Sequence, residues 1–215
     1  MPDKLSDSDK FLARLLIKWW QTATDIKDGD RASLARLRRC SNIAEAVNEC
    51  AFIGLLGCCG RARENDWVKL ALVASVLAYI RGDQGECKRK KEEADEKKSD
   101  NSDEYQPPES NARLIGPDAD RVDAEDASSA LYKIVRFRRL LSVKTVEECQ
   151  RAFRRLVMLM KGKRIINIED LVASLLQWSA DIAGEEISEK RHLKWVEDYY
   201  WNTASYKNSQ KMDSV

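Results

Sequence analysis

The sequence is poor in residues that interrupt helices, since its 215 residues include only nine glycines and four prolines. No segment sustains the period-two alternation of a half-buried strand, so a sheet has little support and an all-α fold is expected. No apolar run approaches the roughly 18 uninterrupted residues of a membrane span. The longest, Val68 to Ile80, is broken by Lys69 and reads as a buried helix. The opening residues, MPDKLSDSDK, hold no hydrophobic signal core, and the expected location is cytoplasmic. Histidine occurs once, at His192, and no C-x-x-C pair exists, so neither a metal nor a cofactor is expected. Cys40, Cys50, Cys58, Cys59, Cys87 and Cys149 are scattered through helical patterns and read as free thiols in a reducing compartment. The vicinal Cys58-Cys59 pair reads as packing at a helix end, with redox activity as the alternative.

Signals of catalysis are also lacking. There is no Gly-rich phosphate loop and no serine in a nucleophile elbow. The carboxylate pairs Glu169-Asp170 and Glu185-Glu186 stand at expected helix starts, where the helix dipole accounts for them. His192 lies in the charged stretch EKRHLKW, where a solvated position is expected. The chain is therefore not expected to be an enzyme.

The chain does contain amphipathic helices. The first is expected from about Ser8 to Thr24, with Phe11, Leu12, Leu15, Leu16 and Trp19 on its inner stripe and a turn at Asp28-Gly29-Asp30. A short basic helix follows over Arg31 to Arg39. Ser41 or Asn42 can cap a third helix through Leu56, ended by Gly57 and Gly60. Asn65 or Asp66 can cap a fourth, apolar nearly all round, expected at the centre of an N-terminal bundle over residues 1–82. Residues 83–120 are charged, poor in large apolar residues and interrupted by Pro107-Pro108, and read as a flexible, disordered linker. A C-terminal bundle over 121–215 is expected to hold four helices: Asp126 to Leu141, one opened by Thr145 with Glu148 as a capping box, Asn167 to Trp178, and Glu185 to Tyr200. The expected architecture is thus all-α, two small helical bundles joined by a charged flexible linker.

Charge is balanced overall, at +1, but not locally. Residues 83–130 carry a net −7, whereas residues 131–168 hold 11 basic and two acidic side chains, net +9. Arg151, Arg154 and Arg155 are spaced to share a helix stripe, and Lys161, Lys163 and Arg164 extend it into a loop. Arg136, Arg138 and Arg139 surround Phe137 one helix earlier, with Lys133 a turn before, and Arg36, Arg38 and Arg39 form a further cluster. Guanidinium forks suit phosphate oxygens, so these residues are the candidate contacts to a nucleic-acid backbone. The alternative is a solvated face paired with the chain's own acidic segments. Trp19, Trp20, Trp67, Trp178, Trp195 and Trp201 could stack on bases, but most lie beside apolar stripes and read as core.

The ordered set of motifs carries a resemblance. Trp19-Trp20, DGDRASLARLRR (Asp28 to Arg39), RFRRLL (Arg136 to Leu141), RRLVMLMK (Arg154 to Lys161), INIEDLVASLLQW (Ile166 to Trp178) and WVEDYY (Trp195 to Tyr200) together resemble the CasB family, the small subunit of the type I-E CRISPR Cascade complex. The resemblance implies an all-α subunit, present as two copies among other Cascade subunits and guide RNA, with no nuclease activity of its own. It also implies that basic residues hold target DNA, both the hybrid and the displaced strand of the R-loop. Arg38, Arg39, Arg136, Arg138, Arg139, Arg154 and Arg155 are the positions it carries over. The linker looks longer than is usual for that family. A reading from a different class remains open: a helical scaffold whose basic helices dock an acidic protein partner or a second copy of the chain. No membrane and no small-molecule substrate is expected.

Overall fold

The computed structural model describes residues 5–25, 27, 29–59, 66–83, 85–86, 109–117, 130–184 and 189–200. Among them are ten helices: α1 (Asp7–Ala23), α2 (Arg31–Arg39), α3 (Ile43–Val47), α4 (Cys50–Cys59), α5 (Trp67–Leu77), α6 (Asn111–Ile115), α7 (Ile134–Leu141), α8 (Val146–Met160), α9 (Ile168–Ile182) and α10 (Glu189–Tyr200). The only strands among the described residues are β1 (Gly85–Glu86) and β2 (Ile166–Asn167), which pair in parallel with Gly85 opposite Ile166. The expected all-α class is what the chain adopts. None of the described helices is long and apolar enough to cross a membrane.

Local chemistry explains most helix starts. Ser6, Asp30, Asn42, Ser110, Thr145 and Asn167 each cap a helix by accepting a backbone N–H three residues on. At α8 the return arm of the capping box is displaced by one residue, because Glu148 accepts from the N–H of Lys144 rather than of Thr145. The helix expected from residue 42 to 56 is interrupted at Asn48-Glu49, where the Asn48 side chain donates to the carbonyl of Ala44, and it restarts as α4. The helix expected from Asp126 begins only at Ile134, since Lys133 is extended and the N–H of Tyr132 is bonded to the Ile115 carbonyl. Residues 126–129 and 185–188, parts of the expected helices there, lie outside the described residues, as do Asp28, Gly60, Asn65 and Trp201.

On α1 the buried stripe is Asp9, Leu12, Ala13, Leu16 and Trp20. It is rotated by about one position from the expected one: Phe11 is exposed and Trp20, not Trp19, is fully buried, donating its indole N–H to the Ile80 carbonyl.

The two segments expected to form separate bundles share one core. Helix α5 is buried without interruption from Lys69 to Leu77, and packed around it are α1, α2 and α3 from the first half and α8 and α9 from the second. Helix α1 also packs on α9. Across this junction the Gln150 amide on α8 donates to the Ser75 hydroxyl on α5 at 2.9 Å, with both residues fully buried. An apolar-all-round helix must be enclosed on every side, and the first half alone cannot enclose it.

Part of the segment expected to be linker is ordered structure. Helix α6 docks on α10, where the Gly116 backbone comes so close that a Cβ there would sit 2.1 Å from the carbonyl oxygen of Tyr199. Asn111 is fully buried, donating its backbone N–H to Asp170 and its side-chain amide to the Asn167 carbonyl. Asp170 also accepts from Arg191 at 2.7 Å, and Arg191 and Trp195 both donate to the Ser174 hydroxyl. This network fastens α6, α9 and α10 together. The remainder of the expected linker, residues 84, 87–108 and 118–120, lies outside the described residues.

Candidate nucleic-acid interface

Helix α8 is the axis of the basic region. Its inner side buries Cys149, Phe153, Leu156, Val157 and Met160. Phe153 makes edge-on contacts with Trp178 and Trp195 at 5.3 and 5.7 Å, so these two tryptophans are core. The opposite side exposes Glu147, Glu148, Arg151, Arg155 and Met158, and beyond the helix Lys161, Lys163 and Arg164 are all exposed in the turn that Gly162 makes at φ +74°.

Arg154 does not join that ridge. It is 8% exposed, its Nη1 donates to the carbonyl of Cys40 at 2.6 Å, and its guanidinium lies 5.3 Å from the centre of the Tyr79 ring. Three residues on a helix return about 60° short of a full turn. Arg154 is therefore displaced from Arg151 onto the flank where α5 and the end of α2 pack, while Arg155 stays outward. Burial, offset by nearby Tyr79, Cys40 and Glu45, holds its pKa below the ordinary arginine value.

The same joint takes up Arg38. Its Nε donates to the Ala78 carbonyl, and the Tyr79 hydroxyl donates back to the Arg38 carbonyl at 2.6 Å. Arg38 is half-buried, whereas Arg36 and Arg39 are exposed. Tyr79 thus touches an arginine from α2 and one from α8, a pairing with no local signal in the sequence, since the partners lie 41 and 75 residues away.

On α7, Phe137 and Leu140 face inward, with Phe137 stacked on Tyr199 at 3.9 Å. Arg136, Arg138 and Arg139 are exposed, as is Lys133. Burial pushes the Tyr132 phenol up, and Arg136 and Arg155 both pull it back, so arginines from α7 and α8 lie near one hydroxyl. Among the described residues, none of Arg36, Arg39, Arg138, Arg139, Arg151, Arg155, Lys161 and Lys163 takes part in an ion pair. Helices α7 and α8 pack on each other, so the expected clusters on α7, α8 and the following turn stand on adjoining elements, and the end of α2 meets α8 through Cys40.

His192 is not in the solvated setting expected for it. It is half-buried, packs edge-on against Trp178 at 4.4 Å between centres, and its Nε2 lies 3.8 Å from Asp181. Burial lowers the His192 pKa and raises that of Asp181 to about 6. Among the described residues no group of three His, Cys, Asp or Glu side chains is arranged to hold a metal ion. Cys149 is buried, and burial pushes its thiol up.

Comparison with known proteins adds one finding. The model of the family CRISPR-associated protein Cse2 matches residues 33–200, which span α2 to α10 and include every candidate cation. No curated protein and no solved structure matches the chain. The matched region covers more than three quarters of the 215 residues and takes in the RFRRLL, RRLVMLMK and INIEDLVASLLQW motifs, and the regular structure among its described residues is helical but for one two-residue strand pair. This chain belongs to the Cse2 family, the small subunit of type I-E Cascade.

Proposed function

We propose that the chain is a non-catalytic Cascade subunit that binds nucleic-acid backbone without regard to sequence. Its exposed cations, Arg36, Arg39, Arg136, Arg138, Arg139, Arg151, Arg155, Lys161, Lys163 and Arg164, supply the contacts, while Arg38 and Arg154 hold the elements that carry them. The observation behind this reading is the accumulation on α7, α8 and the following turn of exposed arginines and lysines, of which Arg138, Arg139, Arg151, Arg155, Lys161 and Lys163 take part in no ion pair among the described residues. Like charges held together repel, and an anionic ligand relieves that repulsion. Opening a duplex to form an RNA–DNA hybrid is close to balanced, so a few backbone contacts by protein tip the equilibrium. In this role the subunit acts in the cytoplasm, beside other Cascade subunits, guide RNA and a second copy of itself, and stabilises the hybrid and the displaced strand of the R-loop.

The test is a salt titration of the full chain with a labelled single strand of two unrelated sequences and the corresponding duplex. Backbone binding predicts steep salt dependence and equal affinity for both sequences. The Arg151→Gln/Arg155→Gln variant should flatten the single-strand log–log salt slope by about 1.4, at roughly 0.7 per phosphate, without a change in melting temperature. Binding that ignores salt, or that prefers one sequence, refutes the reading. An acidic protein docked on the basic helices would then be the better account.

A further inference from the structure

Phosphate binding accounts for Arg151 and Arg155 on α8 but not for the side chain beside them. Met158 is 59% exposed, on the same outward ridge as Arg151 and Arg155. It stands three residues after Arg155 and three before Lys161. These two cations are therefore about 9 Å apart along the axis, with Met158 midway. Ile165, also 59% exposed, directly follows Lys161, Lys163 and Arg164 in the turn, and Val135, equally exposed, lies one helical turn before Arg138 and Arg139.

A single apolar residue on a surface is ordinary. A methionine in the middle of a cationic ridge is different, because any polyanion that lies along the ridge must also cover it. In a duplex the base faces are stacked on one another and the phosphates stand outermost, so a side chain level with the cations meets no base face. In a single strand, phosphates can lie on the cations while an unstacked base turns inward. Methionine suits such a base, since its unbranched, polarisable thioether adapts to an aromatic face. Every base offers that face, so the contact is sequence-tolerant.

We propose that the α8 ridge is a single-strand site in which Arg151, Arg155 and Lys161 take phosphates and Met158 lies against a base, with Ile165 as a second apolar contact. This rests on the phosphate-binding reading above and adds to it the class of nucleic acid and the residue that selects it.

Three ligands of equal length test it: a single-stranded oligonucleotide, the same strand with abasic sites replacing every third base, and the duplex. Wild-type protein should bind the abasic strand about two- to thirteen-fold more weakly than the intact one, the range a methionine–aromatic contact supplies. Met158→Gln keeps the length of the side chain and, on an exposed position, leaves the core untouched. It should lose most of that discrimination, with the salt slope and duplex affinity unchanged. Equal wild-type affinity for intact and abasic strands overturns the proposal. So does discrimination undiminished by Met158→Gln, or a loss that is the same for all three ligands. A steep salt slope without a base contribution would overturn only the Met158 assignment, whereas a missing salt slope would remove the phosphate reading itself.

Discussion

Arg154 offers a sharp test of the site, because it neighbours Arg155 in sequence and should behave as its opposite. Replacing Arg154 with Ala removes a charge-assisted hydrogen bond to the Cys40 carbonyl, at 2.6 Å, and a guanidinium–ring contact with Tyr79 at 5.3 Å. Such a hydrogen bond contributes about 1.5–3 kcal/mol and such a ring contact about 0.5–2 kcal/mol. Against these stands the cost of burying the guanidinium, whose Nε and Nη2 have no hydrogen-bond partner among the described residues. Once the side chain is gone, the carbonyl it served is left unpaired and the space it filled is open, so a net destabilisation of about 1–3 kcal/mol is expected. Arg154→Met keeps the volume of the stem and removes the buried charge, and should fall within about 1 kcal/mol of wild type. Urea denaturation gives both values, and the same preparations enter the salt titration, where the slope should match wild type. The reasoning is refuted if Arg154→Ala leaves stability untouched and flattens the slope by about 0.7, as loss of an exposed phosphate contact would.

Two further outcomes follow from buried charge. Asp170→Ala leaves Arg191, 5% exposed, without its carboxylate and takes the acceptor from the Asn111 backbone N–H, while the Asn111 side-chain amide keeps the Asn167 carbonyl, so urea denaturation should show a loss of about 3–5 kcal/mol. Adding Arg191→Met should recover at least about 1 kcal/mol, and a double variant no better than the single would refute this account. Burial raises Asp181 to about 6, so the folded chain keeps a proton that the unfolded chain releases above roughly pH 4. Its contribution is therefore fully present at low pH and lost as pH rises through about 6, and Asp181→Asn should raise the melting temperature at pH 8 but not at pH 4.5. His192, lowered by burial, works in the other direction, with stability present above about pH 6.5 and lost on acidification. The same change in melting temperature at both pH values would dismiss the Asp181 assignment.

Much of the helical structure was legible because its causes are local. Asn42, Thr145 and Asn167 cap as their positions suggest, and the inner faces of α8 and α9 follow the apolar spacing. What was not legible depends on distant partners. Trp19 and Trp20 are equally apolar as letters, and only the placement of the Ile80 carbonyl makes Trp20 the buried one. Helix α6 has five residues and a buried asparagine, so no stripe announces it; its place is set by Asn167 and Asp170, 56 and 59 residues away. The separation into two bundles was suggested by the charged segment between them. Yet α5 held the contrary signal, since a helix with no polar face needs neighbours on all sides, and these come from both halves. Among the candidate cations, spacing identified Arg151 and Arg155 correctly as outward-facing, but it could not distinguish Arg154, which lies at the edge of the buried arc beside a carbonyl contributed from residue 40.

That edge position links the fold to the proposed binding role. The exposed arginines of α8 stand on a helix whose other side is locked by Phe153 against two tryptophans, by Gln150 on Ser75 and by Arg154 on Cys40. A backbone fixed on three sides does not have to be ordered when ligand arrives, so in the proposed role less of each phosphate contact would be spent on immobilising the protein. The Cys40 bond also ties the end of α2, and with it Arg39, to the same rigid element. Of the two adjacent arginines, one is buried and holds the frame in place, and for that reason the other can meet a flexible polyanion from a fixed position.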